Sequence, residues 1–162
     1  MHYMALAQLL VLLTLANGSP VITKRIFGEK YAVPIDGNAR FVDGQPLLGP
    51  SKTIRGVVVS LLVTALGAVL LGLQFSLGLL VASTAMVGDL LSSFLKRRLH
   101  LASSSKATGL DQIPESLFPL LACQPALSLS ALDIAVACAI FFVGQVLFSR
   151  LFFWLGLRDR PY

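Results

Sequence analysis

The stretch MVGDLLSSFLKRRL, residues 86–99, sets one carboxylate, Asp89, in a run that is otherwise apolar or small and then ends it with three cations. On an α-helix Asp89, Ser92, Ser93, Lys96 and Arg97 stand at i, i+3, i+4, i+7 and i+8, so they form one polar stripe two turns long. If the run crosses a membrane, Asp89 lies roughly 10 Å inside its edge. An ionised carboxylate there costs about 3 kcal/mol or more. Such a side chain has to face a hydrated cavity and a cation. A purely structural alternative pairs it with an arginine that locks two helices together.

A second acid, Asp111, stands in GLDQIPES (residues 109–116), just before a helix expected to begin near Pro114, with Glu115 in its first turn. Helix capping alone accounts for acids at such positions. Taken with Asp89, Asp111 becomes a candidate metal site, because Mg²⁺ prefers one or two carboxylates completed by waters and phosphate oxygens. The segment GPSKTIRG (49–56) offers the complement: Ser51, Lys52, Thr53 and Arg55 opening onto a helix N-terminus. Backbone N–H groups, a positive helix end and two cations suit a polyphosphate. The spacing is not that of a P-loop. Asp36 in IDGN and Asp43 in VDGQ are near enough to assist, but both dipeptides are strong turn signals, and turn formation is the preferred reading.

The elements that must carry these residues follow from composition. Apolar residues make up 56% of the 162, charged residues only 13%, and the mean hydropathy is +0.80. This excludes an ordinary soluble domain. The chain reads as an all-α integral membrane protein, a single membrane-embedded domain over residues 1–162 with about five transmembrane helices and two functional loops. Three runs are long enough to span: 56–72, 75–95, and 131–149 continuing through LFFWLGL. The first apolar run holds about 13 strongly apolar residues, reaching roughly 20 Å, and competes with a signal-peptide reading that lacks a positive n-region. The segment 114–124 is short and interrupted by Pro119, so it reads as a broken or re-entrant span.

Six Lys and Arg lie between residues 24 and 55, four between 96 and 106, and three at 150, 158 and 160. Five spans with the N-terminus outside put all thirteen on the cytoplasmic side of an inner membrane. The loops 18–55 and 96–113 then face the cytoplasm, and any active site faces it with them. The formal charge of +5 is accounted for by orientation and anionic headgroups rather than by a nucleic-acid partner. Cys123 and Cys138 lack metal or redox spacing and read as packing residues.

Cations for phosphate and carboxylates for metal at a membrane edge suggest a lipid and a nucleotide meeting there. LANGSPVI (15–22), PIDGNARFVDGQPLLGPSKTIRG (34–56), GDLLSSFLKRRL (88–99) and GLDQIPES (109–116) together resemble, in order, the blocks of the CDP-archaeol synthase family. That family comprises integral-membrane CTP transferases related to CDP-diacylglycerol synthases. The resemblance implies a Mg²⁺-dependent cytidylyltransferase that joins CTP to a phosphatidic-type lipid phosphate, releasing pyrophosphate. It further implies that Asp89 and Asp111 hold metal, that Ser51, Lys52, Thr53, Arg55, Lys96 and Arg97 hold nucleotide or lipid phosphates, and that Asp89, Asp111 and Lys96 are catalytic. Diacyl, diether and isoprenoid lipids all stay open, as does the oligomeric state. DGNAR (36–40) is one residue short of the DGxxAR of CDP-alcohol phosphotransferases, and no GxxxDxxxD follows. A small non-enzymatic scaffold or transporter subunit is the alternative, and such a protein has no use for GPSKTIRG.

Overall fold

A computed structural model describes residues 2–103, 105 and 107–154. Five helices follow in order: α1 (Tyr3–Phe27), α2 (Ile54–Leu70), α3 (Phe75–Arg98), α4 (Gln112–Leu127) and α5 (Ala131–Trp154). Residues 71–74 join α2 to α3 and residues 128–130 join α4 to α5, so both pairs are tight antiparallel hairpins. The longer loops, 28–53 and 99–111, meet at the opposite end. The expected cations Lys106, Arg158 and Arg160, and the tail of the fifth expected span, lie outside the described residues.

Tyr3–Phe27, Phe75–Arg98 and Ala131–Ser149 are each long and apolar enough to cross a membrane, and Ile54–Leu70 is a shorter apolar helix. Their outward faces carry Leu62, Leu66, Val69, Ile140, Val143 and Leu147 exposed, the surface that lipid covers in an all-helical membrane protein.

Two expectations change. The first helix is not a short span ending near residue 17; it runs 25 residues through Asn17-Gly18-Ser19-Pro20 to Phe27, about 37 Å long. Proline removes one N–H from the ladder, but packing holds this stretch helical. Ser60 of α2 donates to the Ala16 carbonyl, Thr23 donates to that of Ser19, and Pro20 sits against Gly56. The first loop therefore starts at residue 28. Likewise α4 is one continuous helix with Pro119 and Pro125 inside it, not a broken segment. Pro119 is fully buried, and the helix as a whole packs against α3.

That packing is close because of small residues. A Cβ on Gly88 of α3 would collide with the Pro114 carbonyl at the start of α4, and one on Gly78 would come within 2.6 Å of the Ala65 Cα on α2. The apolar core, with Leu6, Leu9, Leu12 and Leu13 of α1 against Val81, Leu120, Ile134, Ala137 and Phe141, fills the end of the bundle away from the loops. The loop end is polar.

Candidate functional site

A cavity of about 930 Å³ occupies that loop end, and all eight site residues expected from the sequence line it: Ser51, Lys52, Thr53, Arg55, Asp89, Lys96, Arg97 and Asp111. The polar stripe of α3 points inward as its periodicity requires, with Ser92, Ser93, Lys96 and Arg97 buried. Lys52 Nζ lies 2.6 Å from both oxygens of Asp89. Lys96 Nζ lies 2.7 Å from Asp111 Oδ1. Asp89 thus has its cation, supplied by a lysine from the first loop and not by an arginine. Burial works against the Lys52 ammonium, but Asp89 beside it more than compensates and moves its pKa upward.

The remaining expected residues are held by hydrogen bonds, although the Nε atoms of Arg55 and Arg97 are buried without a partner among the described residues. Thr53 is the N-cap of α2, its hydroxyl accepting from the Gly56 N–H. The Ile54 N–H goes to the Val33 carbonyl. The first turn of α2 therefore spends donors that the sequence reading had assigned to phosphate. Arg55 donates to the Lys30 and Gly28 carbonyls, closing off the end of α1, and Arg97 donates to the Ala102 carbonyl. Ser103 donates to the Ser51 hydroxyl at 3.1 Å, tying the two loops together.

Asp36 and Asp43 serve the loop. Asp36 accepts from the Leu48, Gly49 and Asn38 N–H groups at 2.9, 3.2 and 3.0 Å. Burial pushes its carboxyl pKa up, but these backbone donors outweigh it and the net shift is downward. Its turn is joined to the lysine segment, since the Ile35 N–H donates to the Lys52 carbonyl at 2.9 Å. Asp43 lies 3.1 Å from Arg98, which also donates to the Pro46 carbonyl and stacks on Phe41 and Phe94 at 4.5 and 4.9 Å. The first loop is clasped onto the end of α3.

Sequence reasoning missed one central group. Glu115, read as a first-turn capping acid, is buried, lines the cavity, lies close enough to Asp89 to interact with it directly, and accepts from Gln145 of α5 at 3.0 Å. The signal available was its i+4 spacing from Asp111, the residue that immediately precedes α4, which puts both acids on one side of the start of that helix. Asn17, Lys24 and Arg25 of α1 also line the cavity. Among the described residues no three His, Cys, Asp or Glu side chains converge to hold a metal by themselves.

Helices apolar enough to cross a membrane, wrapped around a cavity of paired lysines and carboxylates at one end, define an integral-membrane protein with a charged cavity. The comparisons agree on its kinship. Residues 70–162 match the family model described as CarS-like, CDP-archaeol synthase. The CDP-archaeol synthase of Sulfurisphaera tokodaii is 34% identical over 153 residues, covering 91% of this chain and 89% of that protein. That of Hyperthermus butylicus is 38% identical over 104 residues, covering 60% and 59%. A solved structure described as an intramembrane enzyme for archaeal membrane lipids biosynthesis superposes with a TM-score of 0.65 at 27% identity, covering 84% of this chain and 89% of that one. The chain belongs to the CDP-archaeol synthase family.

Proposed function

We propose that this protein is a cytidylyltransferase that joins CTP to a membrane lipid phosphate, giving a CDP-lipid and pyrophosphate, with its loop face toward the cytoplasm. The observation that carries the reading is the pair of lysine–carboxylate couples, Lys52–Asp89 and Lys96–Asp111, set in one cavity at the end of a membrane bundle. A scaffold or transporter subunit needs neither couple.

In the reaction an oxygen of the lipid phosphate attacks the α-phosphorus of CTP in line. A new P–O bond forms as the bond from that phosphorus to the bridging oxygen breaks, and pyrophosphate leaves with the electron pair. The chain supplies position and charge rather than covalent chemistry. Lys52 and Lys96, freed from their carboxylates by a phosphate, neutralise the oxygens of the triphosphate. Ser51 and Arg97 border the same space, and Thr53 and Arg55 hold the lysine-bearing segment at the mouth of α2.

Asp89 and Asp111 line the cavity, and one or two carboxylates completed by phosphate and water fit Mg²⁺. Asp89 and Asp111 would hold the ion, with Glu115 beside Asp89. When bound it would neutralise charge on the phosphates. The lipid is of the phosphomonoester class; the relatives' name points to archaeol, a diether, as the first to try.

The test is to incubate the purified protein in detergent with α-radiolabelled CTP, Mg²⁺ and diether, diacyl and isoprenoid phosphates. Label moving into a lipid-soluble product with release of unlabelled pyrophosphate is the expected result. No labelled lipid with any acceptor would remove the reading.

A further inference from the structure

We infer that Lys24 of α1 anchors the phosphomonoester headgroup of the lipid, and that the lipid chains leave the cavity between α1 and α5 over Val21 and Val146; this rests on the cytidylyltransferase reading and deepens it. Two anions have to be neutralised in one cavity. The cations on the α3 and first-loop side are already engaged: Lys52 with Asp89 and Lys96 with Asp111, Arg55 and Arg97 with backbone carbonyls. On the opposite wall Lys24 and Arg25 both line the cavity and neither has an ion pair among the described residues. Of the two, Lys24 shares a helix face with the cavity-lining Asn17 and Val21.

Its setting is that of a lipid headgroup. Asn17, Val21 and Lys24 stand at i, i+4 and i+7, one face of α1, with Pro20 between them, and all four line the cavity. The face is polar at depth, apolar in the middle and cationic where the helix ends. Across from it α5 presents Gln145 and Val146 to the same space. Among the described residues helix α5 packs against α4 and α1 but against neither α2 nor α3, so it is a thin wall between cavity and bilayer. The apolar contacts of α1 and α5 belong to the far end, where Leu6, Leu9 and Leu13 share a cluster with Ile134, Ala137 and Phe141. Toward the loops both helices contribute cavity-lining residues instead. A lipid can hold its phosphate at Lys24 while its chains pass Val21 and Val146 into the membrane, leaving the triphosphate to Lys52 and Lys96.

The experiment uses the full chain in detergent, measuring CTP binding by calorimetry without lipid and the Michaelis constants for CTP and for the accepted lipid phosphate. Lys24→Gln should raise the lipid constant about tenfold, as loss of one charged hydrogen bond does, and Lys24→Glu more. CTP affinity should stay within about twofold in both. Lys30→Gln, which removes a nearby cation that does not line the cavity, should change neither, and Val146→Trp, which narrows the seam, should raise the lipid constant alone. An unchanged lipid constant in Lys24→Gln, an equal effect in Lys30→Gln, or a fall in CTP affinity would each overturn the assignment. A wild-type protein that neither binds CTP nor forms a CDP-lipid would instead overturn the cytidylyltransferase reading and this inference with it.

Discussion

Lys52 and Asp89, 37 residues apart in sequence, meet at 2.6 Å because neither can be left alone in a bundle of this kind. Removing one partner of a buried pair typically costs about 3–5 kcal/mol, since the other charge stays behind uncompensated; these two keep about a fifth of their surface exposed, so the lower end applies. Lys52→Ala should therefore lower both thermal stability and CTP affinity. Arg55→Ala, whose guanidinium holds the α1 carbonyls, should loosen the first loop yet change CTP affinity less. Equal losses of CTP affinity in calorimetry would contradict this division. Asp36 gives a pH-dependent case. Its folded pKa is depressed, so its contribution is fully present above the unfolded value of about 3.9 and is lost as pH falls through the folded value. Protection of residues 28–53 from hydrogen exchange should hold from pH 7 to 5 and decline below about 4. In Asp36→Asn that protection should be weaker at pH 7 and flatter with acid.

At the level of elements, α3 was the most legible part of the sequence, and the reason is periodicity. A helix repeats every 3.6 residues, so a polar stripe such as Asp89 to Arg97 can only be one face, and that face lines the cavity. What could not be read is which element supplies each partner. Lys52 reaches Asp89 across the whole of α2 and the first part of α3, and Gln145 reaches Glu115 from α5; no local pattern encodes either. Glu115 was hidden because an acid in a first turn has a sufficient local explanation. Lys24 was hidden because Gly18-Ser19-Pro20 reads as a helix end, whereas tertiary packing carries α1 on to Phe27. Gly88 is the element-level keystone, since it lets α4 approach α3 where Asp89 and Glu115 face each other. Gly88→Ala should cost about 1–3 kcal/mol by overpacking, seen as a lower melting temperature, and should reduce turnover by displacing Glu115. A variant as stable and active as wild type would show that the two helices have room to spare.

For the whole molecule, the helix order places both long loops at one end of the bundle and both short connectors at the other. The positive-inside rule then predicts that the loops face the cytoplasm. With Cys123 and Cys138 replaced by alanine, single cysteines at Asn38 and Thr108 should resist an impermeant thiol reagent in intact cells and react after permeabilisation. Labelling of either before permeabilisation would invert the molecule and place the proposed nucleotide site on the wrong side for CTP. The central claim is that the carboxylate set inside the membrane end of α3 exists for phosphate chemistry. Asp89→Asn keeps its shape and removes its charge, which leaves Lys52 without its carboxylate and lowers the melting temperature, while the amide itself is easier to hold in a bundle than a carboxylate. The most direct measurement is the rate of CDP-lipid formation by Asp89→Asn at saturating CTP and Mg²⁺, taken with its melting temperature. Loss of at least about 100-fold in rate in a protein that purifies and melts cooperatively is the expected result; turnover near the wild-type rate would contradict the account.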